Sequence, residues 1–151
     1  MNLTNYYWYF QSAIPERICD DIVRYGKSLQ EQMAVTGGYG DKKLNQTEVK
    51  DLKKKRDSNI VWMNDRWIYK EIQPYVHKAN ANSGWNFQWD YSESCQFTIY
   101  NQGQYYGWHT DTDGNLYYGK GNEWNKLMRK LSVTVSLSDP EDYEGGVLEF
   151  D

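Results

Sequence analysis

The chain has 151 residues, a formal net charge of −4, 39% hydrophobic residues and 17% aromatic ones. That length fits one domain, since single domains most often run about 100–150 residues, and it suffices for a core without disulfide staples. No apolar run approaches the roughly 18 residues of a membrane span, Met1–Phe10 lacks the basic n-region and cleavage site of a signal peptide, and the acidic balance argues against a dedicated nucleic-acid binder.

In chain order, Tyr6 to Gln11 reads as a short opening strand, and Pro15 suits the first turn of a helix. Ile14, Ile18, Ile22, Tyr25, Leu29 and Met33 then recur at spacings of three and four, which predicts a helix over Pro15–Gln32. Thr36-Gly37-Gly38-Tyr39-Gly40 closes that pattern. The polar stretch up to Ser58 carries Lys42, Lys43, Lys50 and Lys53–Arg56 among Asp41, Glu48, Asp51 and Asp57. It reads as a solvated loop or surface helix with partly self-compensated charge. Asn59–Met63 has strand character, and Asp65 is placed to cap a second helix through Ile68, Ile72, Tyr75 or Val76 and Ala79. Pro74 should kink that helix or mark its start. Cys19 and Cys95 make no CxxC pattern and read as reduced packing residues, in keeping with a reducing, cytoplasmic setting.

Beyond Ser83-Gly84 the period changes to two. Trp85, Phe87, Trp89 and Tyr91 alternate with polar residues, as do Cys95, Phe97 and Ile99, and both runs read as strands. Tyr105–Asp111 reads as a third extended stretch, and Asp113–Lys126 as a mobile loop. Leu131, Val133, Val135 and Leu137 predict a further strand, Asp139–Asp142 a turn, and Gly145-Gly146 opens a last strand, Val147–Phe150. Helices first and antiparallel-looking strands afterwards define an α+β, mainly β, domain.

The chemistry concentrates in Tyr100–Asp111. His109 and Asp111 lie two apart on an extended stretch, so both side chains leave one face. A neutral imidazole and a carboxylate that converge supply two of the three protein ligands in the 2-His-1-carboxylate triad. That triad holds non-haem Fe(II) by one face and leaves positions for O2 and a chelating cosubstrate. Alone, an HxD in a strand is more often a structural or surface pair. His77 has no ligating neighbour at a useful spacing and reads as a surface or half-buried helix histidine.

The wider arrangement is Tyr100-Asn-Gln-Gly-Gln-Tyr-Tyr-Gly-Trp-His109-Thr-Asp111, a loop, an Arg129-led strand, a Leu-Ser-Asp-Pro turn and the Gly145-Gly146 strand. It resembles the prolyl 4-hydroxylase-like Fe(II)/2-oxoglutarate oxygenases, and among them the PKHD-type hydroxylases of bacteria and phages. The resemblance covers about Trp85 to Asp151. It implies a double-stranded β-helix (jelly-roll) core, with 1–84 as helical support and 85–151 as the front part of the barrel, in a single domain 1–151. His109 and Asp111 would be iron ligands, Tyr100, Thr134 and Ser136 would line the 2-oxoglutarate pocket, and Arg129 would stand near the substrate entrance. The implied reaction hydroxylates a C–H bond with Fe(II), 2-oxoglutarate and O2, with ascorbate as an optional further cofactor. The substrate would be a proline-containing peptide or protein, or a small molecule. The implied setting is the cytoplasm of a bacterial or phage-infected cell, with no nucleic acid or membrane as partner.

The family pattern continues with a second iron histidine some fifty residues past the HxD and a basic residue for the far carboxylate of 2-oxoglutarate. Neither has a counterpart before Asp151. The expectation is therefore a chain cut before the distal histidine, a poor catalyst alone. Its barrel would lack the C-terminal strands, leaving an open sheet edge beside Val147–Phe150 through which copies could associate. A catalytically incomplete homologue acting as a peptide-binding module is the alternative. Nucleic-acid binding through Lys53–Arg56 and exposed aromatic residues is the third reading.

Overall fold

The computed structural model describes residues 3–35, 44–112 and 126–150. The expected Thr36–Gly40 break, the lysines at 42 and 43, and the expected mobile loop up to residue 125 lie outside these. Among the described residues three helices, α1 (Glu16–Ser28), α2 (Gln46–Lys53) and α3 (Arg66–Asn82), accompany five strands: β1 (Gln32–Met33), β2 (Arg56–Asp57), β3 (Asn59–Met63), β4 (Cys95–Ile99) and β5 (Tyr105–Tyr106). The class is α+β. All pairings are antiparallel, in a three-stranded sheet of order β1-β3-β4 and a separate two-stranded ribbon of β2 and β5. The jelly-roll arrangement is not seen among the described residues. No described helix is long and apolar enough to cross a membrane.

Helix α1 starts after Pro15, with Glu16 in its first turn and Lys27 in its last, each at the favourable end of the helix dipole. It stops four residues short of the predicted end. Ser28 Oγ donates to the Tyr25 carbonyl at 2.7 Å and Leu29 turns extended, at φ −93° and ψ 164°. Leu29 still packs against the core, so its spacing from Tyr25 serves the turned-out conformation as well as a helical one. Gln32, predicted to end the helix, and Met33, counted in its apolar stripe, pair instead with Ile60 and Asn59 of β3.

The polar stretch forms a short surface helix. Asn45 Oδ1 accepts from the backbone N–H groups of Thr47 and Glu48, both at 2.9 Å, and Glu48 reaches back to the Asn45 N–H, completing a capping box. Leu52 is its buried anchor. Lys53 lies 3.1 Å from Asp57 and Lys54 2.7 Å from Asp51, so two charges of the basic run are compensated locally.

Helix α3 runs through Pro74 without a break; the ring only removes the bond that the Lys70 carbonyl would have accepted. Asp65 occupies the N-cap position, but its carboxylate accepts from the Tyr25 hydroxyl at 2.8 Å and so ties α3 to α1. The core, Ile22, Val61, Met63, Ile68 and Phe97, is sandwiched between these helices and β3–β4. Val61 stands opposite Phe97 and Met63 opposite Cys95. A β-carbon at Gly26 would lie 2.5 Å from Cδ1 of Phe97, so the helix needs glycine for the ring to seat.

Four expected strands are absent. Tyr6–Gln11, Trp85–Tyr91, Leu131–Leu137 and Val147–Phe150 form none, and β5 covers only the first two residues of Tyr105–Asp111. The alternation in 85–91 has another cause: this segment packs along α3. Asn80 takes both backbone groups of Phe87 (3.0 and 2.9 Å), as a neighbouring strand would, and Trp89 stacks on His77 at 4.6 Å. Leu137 reaches the core and Phe150 stacks on Tyr7 at 5.4 Å, so the C-terminal segments attach by side chains. The expected Asp139–Asp142 turn is a 3-10 turn, Pro140–Asp142, capped by Asp139.

Cys19 and Cys95 are both free and partly buried. Burial pushes the Cys95 thiol up, and it pushes the neighbouring Tyr69 phenol up from 10 to about 12. A raised phenol pKa favours the protonated folded state. Its contribution is therefore complete below pH 10 and is lost as pH climbs from 10 to about 12. Alkaline unfolding curves should steepen in that window, and Tyr69→Phe should flatten them.

Candidate metal and cosubstrate site

The site hangs from the β2–β5 ribbon. Arg56 pairs with Tyr106 and Asp57 with Tyr105, and the next residue, Gly107, donates its N–H to the Lys55 carbonyl at 2.8 Å. The chain then leaves strand geometry, and the turn carries Trp108, 70% exposed, and the HxD.

His109 and Asp111 converge although they are not on a strand. His109 Nε2 is 3.3 Å from Asp111 Oδ1, with the side chains 35% and 48% exposed. The other ring nitrogen, Nδ1, is 2.7 Å from the Gly107 carbonyl. A carbonyl only accepts, so Nδ1 carries the hydrogen, and a neutral ring then presents the Nε2 lone pair to the carboxylate. Two acceptors face each other there, a repulsive arrangement that a cation between them relieves.

A proton on Nε2 is one such cation and a metal ion is the other. The 3.3 Å separation exceeds the roughly 2.7–2.9 Å of charge-assisted N–H···O bonds. It also exceeds the ~3 Å expected between two donors at right angles, each ~2.1 Å from one ion, so the distance accommodates either cation. The donor chemistry, imidazole nitrogen and carboxylate oxygen, suits Fe(II) and leaves open positions. The residues present thus fit two of three triad positions. Among the described residues no third histidine, cysteine or carboxylate joins them. His77 is on the exposed side of α3, against Trp89.

The carboxylate is held from a second side. Ser132 Oγ donates to Asp111 Oδ2, and Arg129 Nη1 donates to the Asp111 carbonyl at 2.8 Å. Arg129 also forks onto the Glu93 carboxylate. The arginine expected at the substrate entrance therefore straps 129–132 to the HxD turn and to the start of β4. Tyr100, expected to face an enclosed cavity, is 48% exposed just past β4. Thr134 and Ser136 are exposed on a segment without strand pairing. The structure brings His109, Asp111 and Arg129 together; it does not bring Thr134 or Ser136 into a closed pocket with them.

Ser132, Glu93, Arg56 and Tyr106 complete the surroundings and escaped the sequence reading. Ser132 shares the alternation of Thr134 and Ser136, and Tyr106 lies inside the motif three residues before His109, so both had a positional signal. Arg56 was hidden in a lysine-rich run, and Glu93 had none. The Tyr106 phenol is pushed up by burial, against the pull of the Arg56 guanidinium and reinforced by Asp111 and Tyr100. A groove of about 580 Å³ along α3, lined by Arg66, Tyr69, Lys70, Gln73, Pro74 and His77, includes neither HxD residue.

Compared with known proteins, the chain matches no family model, no curated protein and no solved structure.

Proposed function

We propose that this chain is an Fe(II)- and 2-oxoglutarate-dependent dioxygenase of the prolyl 4-hydroxylase type, built on a double-stranded β-helix and hydroxylating a C–H bond, with a peptidyl proline the favoured substrate. The observation that carries the reading is the 3.3 Å approach of His109 Nε2 to Asp111 Oδ1 with Nδ1 tied to a carbonyl, an arrangement suited to a divalent cation. His109 and Asp111 would hold the iron. When bound, the iron supplies the redox chemistry by which O2 and 2-oxoglutarate oxidise a substrate C–H bond, with succinate and CO2 released.

The chain's own residues have simpler tasks. Gly107 fixes the His109 tautomer through its carbonyl, and Ser132 and Arg129 fix Asp111 through its carboxylate and its backbone. The Tyr100 hydroxyl would donate to a cosubstrate carboxylate, and Thr134 and Ser136 would add further polar contacts to it. A two-ligand site binds metal weakly and exchanges it, so the test is an equilibrium one. Anaerobic Fe(II) titration should show one weakly held ion per chain, lost in His109→Ala, and succinate should form only slowly with 2-oxoglutarate and O2 in the presence of a proline-containing peptide. Equal binding by wild type and His109→Ala would overturn the reading.

Given that activity, Tyr100→Phe should raise the apparent 2-oxoglutarate requirement by up to roughly tenfold, the loss of one hydrogen bond to a charged group. An unchanged requirement would assign Tyr100 to the surface. The second reading, a peptide-binding module, draws on the exposure of Trp108, Tyr100 and Tyr105 around the HxD turn. Metal-independent capture of a proline-rich peptide would favour it.

A further inference from the structure

An imidazole on an exposed turn has freedom to waste. Its second torsion is broad and roughly two-fold, so a ring flip, which exchanges Nδ1 with Cδ2 and Nε2 with Cε1, has little intrinsic cost. At His109 two contacts remove that freedom. The ring lies on Tyr106 with centroids 3.6 Å apart and planes within 13°, and Nδ1 meets the Gly107 carbonyl at 2.7 Å. The stack fixes the plane of the imidazole; the carbonyl selects which of the two flips places Nε2 toward Asp111.

The phenol is itself anchored. Arg56, its cross-strand partner, holds its guanidinium carbon 4.5 Å from the same ring centroid. Arg56 is only 6% exposed. It donates to Ser58 Oγ at 2.9 Å and to Gln96 Oε1 at 2.6 Å, and among the described residues no carboxylate pairs with it. With no ion pair to satisfy, the arginine is oriented by two neutral acceptors and by the ring face. The order is thus Gln96 and Ser58, Arg56, Tyr106, His109, running from the start of β4 across the ribbon to the HxD turn.

We propose that Tyr106 is a positioning residue for His109: its ring, seated on Arg56, holds the imidazole in the one orientation that presents Nε2 beside the Asp111 carboxylate. This rests on the reading of His109 and Asp111 as metal ligands. Metal affinity then depends on a residue that never touches the ion, in the way that outer-shell partners of ligating histidines commonly act. The ring is the active part. The phenol oxygen, whose hydrogen-bond partner is Arg56 and not His109, is not the part that orients the imidazole, which separates this role from one in proton transfer.

The test compares wild type, Tyr106→Phe, Tyr106→Leu and His109→Ala by anaerobic titration with Co(II), and reads the tautomer of the neutral His109 ring in the metal-free protein from its nitrogen chemical shifts. Wild type and Tyr106→Phe should bind alike and show a single Nδ1–H tautomer. Tyr106→Leu should bind roughly 10- to 100-fold more weakly and show a mixture, with the amide shifts of β3 and β4 unchanged. Tyr106→Thr, which retains strand propensity, replaces the leucine variant if that one does not fold. Wild-type affinity together with a single tautomer in the ring-deleted variant would overturn the positioning role and leave the metal site standing. If wild type binds Co(II) no better than His109→Ala, the metal reading falls. The tautomer then decides Tyr106 alone, a mixture in the variant supporting the role and a single form overturning it.

Discussion

Truncating Phe97 to alanine should cost about 3–5 kcal/mol of folding stability, the usual range for removing a core aromatic. That is a large part of the ~5–15 kcal/mol that holds a typical domain together. Phe97 is the residue through which the sheet meets α1: it faces Val61 across β3–β4 and presses its ring on the backbone of Gly26. The same contact makes the opposite substitution harmful. Gly26→Ala should gain up to ~1 kcal/mol of helix propensity, but it forces a β-carbon to within 2.5 Å of the ring, and overpacking of this kind costs about 1–3 kcal/mol. The net effect should be destabilising. Pairing Gly26→Ala with Phe97→Leu should recover part of the loss, so the two changes are non-additive. Urea unfolding midpoints with an unchanged slope provide the measurement. Additive effects would place the ring elsewhere.

His109→Ala should abolish divalent-metal binding and all 2-oxoglutarate turnover, whereas Asp111→Asn should weaken binding by at least about tenfold. The amide keeps an oxygen donor but removes the charge that balances the dication. The two substitutions also separate the metal reading from a simple His–Asp ion pair. In an ion pair, both remove the same exposed contact and shift stability by only ~0.2–1 kcal/mol, with no metal dependence. Isothermal titration with Fe(II) under argon, with Mn(II) as a redox-silent control, distinguishes them. A wild-type protein as indifferent to metal as His109→Ala would favour the ion pair.

The helices were legible because their signals are local. Ile18, Ile22 and Tyr25 write the α1 stripe, and Ile68, Ile72 and Ala79 write α3. The end of α1 was not, because Leu29 and Met33 keep helical spacing while meeting the core and β3 through an extended backbone. Strands fared unevenly for a related reason. Alternation reports that one face of a segment is packed, but not what packs it. In Cys95–Ile99 the neighbour is β3; in Trp85–Tyr91 it is α3, with the side chain of Asn80 standing in for a strand. At the site, spacing placed His109 and Asp111 together correctly, although a turn rather than a strand does it. The residues that hold them, Arg56 and Glu93, come from sequence positions 53 and 18 removed from His109 and Asp111, and single-sequence spacing carries no information at that range.

The ribbon that bears His109 has a thermodynamic consequence. It is two residue pairs long and separate from the β1–β3–β4 sheet. Beyond the Arg56 bonds to Gln96 and Ser58, its ties are Gly107 to Lys55, the Tyr105 hydroxyl to the Lys54 carbonyl at 2.9 Å, and Gln104 to Asp57 at 3.2 Å. So short a unit can open and close on its own while Ile22, Ile68 and Phe97 stay packed. Any ligand of the HxD turn binds only the closed fraction, and its apparent dissociation constant is the intrinsic one divided by that fraction. Ribbon stability is thereby a gain setting for the site. A change at Asp57 or Lys54 tunes occupancy without touching the ligand, and an occupied site in turn holds the ribbon shut.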